Sequence, residues 1–369
     1  MMSTLMSERK SSALTRGRLP KYTPYVVAGS AIVVAAALMS LIGFNAFGWG
    51  VLSAILFALG TVVSAAVVEG RRRAVDKLAS ALVVGAFLVA LLPLVSVIWT
   101  VLVNGIPGLL SPGFLSTSMN GVTGIQDNAA TTNHTPVLGG AYHALIGSVL
   151  ITLWATIISV PVGLLTSIYL VEYGAGNRLS KLITFFVDVM TGIPSIVAGL
   201  FAAAFFAMIM GPGTKTGFVA AVALSVLMIP VVVRSSEEML KIVPNELREA
   251  SYALGVRKWR TILKVVIPTA ISGIASGVTL AIARVIGETA PLLVTAGFAT
   301  TINYNVFSGW MASLPTFIYT QIMSPTSPSN PDPSNQRAWA AALLLILLVM
   351  LLNLGARLVA RMFAPKTGR

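Results

Sequence analysis

The chain has 369 residues, 56% hydrophobic and 10% charged, against a charged share of about 25% in soluble domains; this is the composition of a protein held in a bilayer. Its formal net charge of +13 would suit nucleic acid or an anionic surface, and only the placement of the cations can decide between them. With no cysteine and only two histidines, His134 and His143, both in a predicted outer loop, the chain offers neither a disulfide nor a good metal site.

Crossing about 30 Å of hydrocarbon takes roughly 20 apolar residues. Such runs recur near 26–47, 51–68, 78–103, 144–171, 182–210, 218–233, 267–296 and 339–362, giving eight predicted spans. Residues 1–22 form a basic tail without apolar periodicity, expected to be disordered at the inner face. The first apolar run exceeds the 7–15 residues of a signal-peptide core, so it reads as a retained span. It forms an added hairpin, 23–70, with a tight turn near 45–49. The hairpin's role is peripheral packing or lipid contact.

The six-span core, 71–369, opens on the Arg71-Arg72-Arg73 cluster. An arrangement with both termini inside places 22 of the 25 Lys and Arg residues on the cytoplasmic side. Only Lys215 and Arg337 fall outside, and Arg284 lies within a span. That is the positive-inside pattern, so the basicity reports orientation and anionic headgroups rather than nucleic acid. The outer loop 104–142 has no Lys or Arg and many Gly, Ser, Thr and Asn, so it is expected to be solvated and irregular. A second outer loop, 300–337, holds Pro325, Pro328, Pro331 and Pro333, which favour extended backbone. Each loop is either a connector or a contact for an external partner.

Asp188, about one turn inside the fifth span, is expected to pair with a cation near the cytoplasmic end. Pro194, with Gly192 and Gly199, is expected to kink or interrupt its span, as are Pro161, Pro230 and Pro291; such breaks often line transport paths. The stretch Gly211-Pro212-Gly213-Thr214-Lys215-Thr216 lacks the Gly before Lys that a phosphate loop requires and reads as a turn.

Between the sixth and seventh spans lies a polar, basic loop, 235–266. Pro244 suits a helix start, with Glu246 and Glu249 near the positive end of the helix dipole. Leu247, Ala250, Ser251 and Leu254 follow the spacing of one helix face, and Gly255 stands where a left-handed C-cap is expected. A second pattern, Trp259, Ile262, Leu263 and Val266, leads to Pro268. The loop is thus a short helix, a Gly hinge and a second helix: either a cap on the bundle or a contact for another protein.

The seventh span carries Arg284 and Glu288. Charges at the bilayer centre cost at least about 2.5–3.5 kcal/mol each on insertion scales and normally face protein or water. In a continuous helix Gly273, Gly277, Ala281, Arg284 and Glu288 share one face, and Gly273 and Gly277 form a GxxxG pair that permits close helix approach. A guanidinium there can bind two oxygens of an oxyanion, with Glu288 neutralising it when the path is empty. The alternative is a structural ion pair.

The segment Glu249-Ala250-Ser251-Tyr252-Ala253-Leu254-Gly255, followed by Val265-Val266-Ile267-Pro268, resembles the "EAA" loop of ABC-importer permeases. Ser251, Val265 and Ile267 depart from the commonest form by small or isosteric changes. The run Ala283-Arg284-Val285-Ile286-Gly287-Glu288-Thr289-Ala290-Pro291-Leu292-Leu293 closely resembles the signature of the PstA family of phosphate-importer permeases. The run Asp188-Val189-Met190-Thr191-Gly192-Ile193-Pro194-Ser195-Ile196-Val197-Ala198-Gly199 is similar to an earlier segment of that family, and the likeness, with the EAA-like loop, extends over roughly 78–369. It implies an all-α type I importer fold in the cell membrane, phosphate as substrate, and Arg284 and Glu288 in its path. It also implies a PstC-like sister permease, a PstB-like ATPase dimer binding the ATP and Mg, a PstS-like external phosphate-binding protein, and an ATPase contact at 235–266. This chain would itself be no enzyme and hold no cofactor. A sulfate or molybdate permease and an ion-driven secondary transporter are the competing readings.

Overall fold

The computed structural model describes residues 19–133, 135–174 and 176–363, with side chains described to 358. Most of the basic tail, His134 and the last cations, Arg361, Lys366 and Arg369, therefore lie outside the described residues or side chains. The described chain is all helical. Seven single helices are long and apolar enough to cross a membrane, or eight spans if a pair bent by 107° counts as one.

The chain divides into two compact units, 1–98 and 99–369. The first contains the antiparallel pair α1 (Thr23–Ile42) and α2 (Ala46–Val68), followed by most of α3 (Arg71–Leu109). Gly43 has φ +112° in the short link, and the Asn45 side chain caps α2 by accepting from the Phe47 N–H at 3.0 Å. The turn thus precedes the expected 45–49.

The second unit continues through α4 (Gly124–Thr132), α5 (Tyr142–Ile168) with a π-helical turn at Tyr169–Tyr173, α6 (Arg178–Thr191), α7 (Ser195–Met210) and α8 (Gly217–Ile242). Beyond these lie α9 (Asn245–Ala253), α10 (Lys258–Thr261), a second π-helical turn at Ile262–Val266, α11 (Ile267–Val285), α12 (Ala290–Thr295), α13 (Leu314–Met323) and α14 (Asp332–Phe363). The centre is α8, which packs against α5, α7, α11 and α12. Its inward positions include Ala220, Ala221, Ala223 and Ser225, all buried. In a bilayer, where lipid tails are as apolar as leucine, such small residues associate helices by letting backbones approach.

The breaks expected at Pro194 and Pro291 are made. The fifth span is two helices, α6 and α7, because the chain turns at Gly192-Ile193-Pro194; Pro194 sits at φ −60°, ψ 136° and cannot continue α6. By contrast α5 continues past Pro161 and α8 past Pro230, so those prolines do not interrupt their spans. Pro291 lies in the first turn of α12, where a missing N–H is tolerated. The seventh span also breaks, since α11 ends at Val285 and α12 begins only at Ala290. The glycine-flanked Gly211–Thr216 stretch is the turn between α7 and α8, and Thr216 caps α8.

The loops expected to be irregular fold together. Phe114 and Met119 join Ala141, Leu314, Phe317 and Ala340 in a buried cluster. His143, expected in a loop, is buried in the first turn of α5, edge-on to Phe317 at 5.4 Å. At the centre of this cap, Arg337 and Asp127 form a bidentate pair at 2.9 and 2.6 Å, with side chains 2% and 1% exposed. Gln321 Oε1 accepts from Arg337 Nε at 3.0 Å, and the Leu138 carbonyl accepts from its Nη1 at 2.9 Å. Such satisfaction is what makes a buried charge pair tolerable.

Candidate transport path and coupling surface

The first site is the break after α11. The Ile286 N–H still reaches back to Ile282 O at 3.0 Å, but the Glu288 N–H bonds Val285 O at 3.1 Å, a three-residue turn. Gly287 turns the chain out of the helix, so Glu288 leaves the cylinder on which an i, i+4 carboxylate would meet Arg284. The expected ion pair is therefore not made: among the described residues neither side chain has a salt-bridge or hydrogen-bond partner. Arg284 is exposed and Glu288 half-buried.

The helix face divides accordingly. Gly277 and Ala281 are buried against α8, and a Cβ on Gly273 or Gly277 would collide with Met239 or Ser235. Ser272, Ser276, Leu280 and Arg284 instead form an exposed row at i+4 spacing. The GxxxG pair thus packs within this chain, while the cation stands on the neighbouring, open face.

Asp188, on α6, is paired with Arg234 of α8. Arg234 also reaches Glu237 at 3.0 Å, and Lys241 holds the other Glu237 oxygen at 2.7 Å. This chain of alternating charges ties α6, immediately before the Gly192–Pro194 bend, to the central helix. Beyond the bend, Gly199 packs on Pro291, where a Cβ would lie 2.6 Å from the Pro291 Cα. Pro194 thus ends in a hinge between two anchored helices, one of which touches the segment after Arg284.

The second site is α9. Pro244 is the N-cap, with Glu246 in the first turn. Gly255 has φ +73°, and the C-terminus closes in a Schellman arrangement: the Val256 N–H donates to Ser251 O at 3.2 Å, and that of Gly255 to Tyr252 O at 2.9 Å. Ser251 does not share an open face with Leu247, Ala250 and Leu254. It is buried, its hydroxyl 2.8 Å from that of Thr261, and this bond holds the two short helices together. Glu246, Leu247, Glu249, Ala250 and Leu254 remain exposed, Leu254 at 84%. The arrangement presents an apolar row flanked on one side by two carboxylates, on a small support.

That support includes a contact that no sequence periodicity marks. Arg248 Nε and Nη2 donate to Glu172 Oε1 at 3.0 and 2.8 Å, and the same guanidinium donates to the carbonyls of Leu240 and Val243 at 2.9 and 2.6 Å. Glu172 lies in the π-helical turn after α5, 76 residues away. Lys258 adds a cation–π contact over Tyr173 at 4.9 Å.

Residues 159–369 match the family described as "Binding-protein-dependent transport system inner membrane component". The protein described as "Phosphate transport system permease protein PstA 1" of Mycobacterium tuberculosis (strain ATCC 25618 / H37Rv) is 46% identical over 290 residues, 78% of this chain and 88% of the relative. The PstA protein of Mycobacterium leprae (strain TN) is 45% identical over 285 residues, 77% and 88% of the two chains. That of Yersinia pestis is 41% identical over 228 residues, 62% and 74%. Among solved structures, "Inward facing conformations of the MetNI methionine ABC transporter: CY5 native crystal form" matches with TM-score 0.46 and 21% identity, over 61% of this chain and 94% of the other.

Proposed function

The chain belongs to the binding-protein-dependent transport system inner membrane component family, and from that premise we propose that it is a membrane permease subunit of an ATP-driven inorganic phosphate importer. The observation that carries the substrate is Arg284: an exposed guanidinium at a helix break, with no carboxylate partner among the described residues. Such a group can bind two oxygens of a phosphate in a charge-assisted fork, and Glu288 on the far side of the break can exchange places with the departing anion. The relatives, described as phosphate transport permeases, support the same reading.

The exposed edge of α9, Glu246, Leu247, Glu249, Ala250 and Leu254, receives the motion of a separate ATPase dimer that binds ATP and Mg. Asp188, Pro194, Gly273 and Gly277 hold the helices that line the path. A sister permease completes the path, and an external phosphate-binding protein delivers the anion. The basic loops, including 235–266, face the cytoplasm. Affinity co-purification of the full chain tests the assembly, and ATP-dependent phosphate uptake by the reconstituted complex tests the substrate. Uptake by this chain alone, or equal competition by sulfate, would refute the reading.

A further inference from the structure

The N-terminal unit lies outside the matched family segment and contains a cleft of its own. Glu69, immediately after α2, accepts the Leu19 N–H at 2.9 Å and forms ion pairs with Lys77 at 3.1 Å and Arg73 at 3.7 Å. This junction ties the start of α1 to the end of α2 and leaves a cleft of about 210 Å³, lined by Lys21, Thr23, Thr61, Ser64, Glu69 and Lys77 among others. The volume is well above the roughly 10–15 Å³ that admits one water.

Its charges do not balance. Lys21 and Lys77 line the cleft with one carboxylate, Glu69, which Lys77 and Arg73 already contact, and among the described residues Lys21, Arg71 and Arg72 have no acidic partner. Its position fixes the kind of anion. Three strongly apolar helices meet here, as α1 starts, α2 ends and α3 starts, so the cleft sits at headgroup depth. Tyr22 and Tyr25, 66% and 79% exposed, stand beside it, as aromatic residues do at membrane interfaces. Val26 in the first turn of α1 and Val67 and Val68 at the end of α2 expose apolar surface.

We propose that this cleft binds the phosphate group of an anionic membrane lipid, with Lys21 and Lys77 on the headgroup and the valine surface along the acyl chains. A basic pocket between membrane helices is suited to such a headgroup. Free phosphate shares the charge chemistry but has no use for the apolar flank.

The test is native mass spectrometry of the full-length protein in neutral detergent, titrated with phosphatidylglycerol or phosphatidylcholine. Wild type is expected to retain one phosphatidylglycerol preferentially. Lys21→Gln, which removes no hydrogen bond or ion pair among the described residues, should weaken retention about fivefold, and Lys21→Gln with Lys77→Gln about 25-fold. A thermal unfolding curve for Lys21→Gln should match that of wild type. Equal retention of phosphatidylcholine, unchanged retention by Lys21→Gln, or displacement of the lipid by millimolar inorganic phosphate would overturn the proposal; the last would assign the cleft to the free anion.

Discussion

Arg248 and Glu172 join two elements that neither hydropathy nor sequence proximity would bring together: the short helix α9 and the π-helical turn ending α5. The guanidinium is the larger part of that joint, because it also satisfies the Leu240 and Val243 carbonyls at the end of α8. A force applied to α9 therefore reaches two membrane helices through one side chain.

Arg248→Ala should leave Glu172, whose side chain is 4% exposed, without its cation. Breaking one partner of a buried pair costs about 3–5 kcal/mol, and the value should fall at or below the lower end because the arginine is still 13% exposed. The loss is local, so the expected result is a folded permease in which ATP hydrolysis continues while phosphate uptake falls at least about tenfold, a change of roughly 1.4 kcal/mol in coupling. Parallel ATPase and uptake assays on the reconstituted complex check it. Arg248→Lys, a point charge without the fork, should restore only part of the uptake.

Arg337 and Asp127 predict a different outcome, because their pair holds the cap formed by the long loops and is almost fully enclosed. Either Asp127→Ala or Arg337→Leu should destabilise the chain by about 3–5 kcal/mol and sharply lower the amount of folded protein recovered. The double variant Asp127→Leu with Arg337→Leu should recover part of that loss, since no unpaired charge remains. Fluorescence-detected size-exclusion after a heating series measures the order of the three variants.

This cap also marks where sequence reading ends. The spans were legible because burial in lipid demands long apolar runs, and the α9 turn because Gly255 must adopt φ +73°. The Arg337–Asp127 pair bridges 210 positions between polar loops, and no periodicity records such a partner. Likewise the Ser251 hydroxyl fits helix spacing on an outer face until Thr261 is brought alongside to bond it. The break between Arg284 and Glu288 was signalled by Pro291 but not located by it: apolar residues flank the break on both sides, and a run of hydropathy does not say where one helix ends and the next begins.

Gly255 tests the coupling surface without removing any side-chain contact. A Cβ there meets no neighbour within 4 Å, so Gly255→Leu is resisted only by its backbone. Left-handed geometry costs a non-glycine residue roughly 1–2 kcal/mol, enough to open the Schellman closure and let Leu254 swing away from its position. Assembly should survive while uptake per ATP hydrolysed falls severalfold. Gly255→Asn, which tolerates this conformation better, should lie between wild type and Gly255→Leu. Equal uptake per ATP in all three would remove α9 from the coupling role.

The unpaired state of Arg284 and Glu288 gives the sharpest prediction. If the two formed a buried structural pair, neutralising either would strand the other charge and destabilise the protein by about 3–5 kcal/mol. Among the described residues neither side chain has a partner, and Arg284 is exposed, so Arg284→Gln and Glu288→Gln should both yield folded, assembled complexes with midpoints of unfolding close to wild type. Their transport should differ. Arg284→Gln removes the anion's charged fork and should abolish measurable phosphate uptake, whereas Glu288→Gln leaves the fork but removes the group that displaces the anion, slowing release more than it weakens binding. Initial rates across a range of phosphate concentrations separate the two effects. Persistence of uptake in Arg284→Gln with an unchanged half-saturating concentration would take Arg284 out of the path, and a large loss of stability in either variant would assign the two residues to a structural pair in another conformation of the transporter.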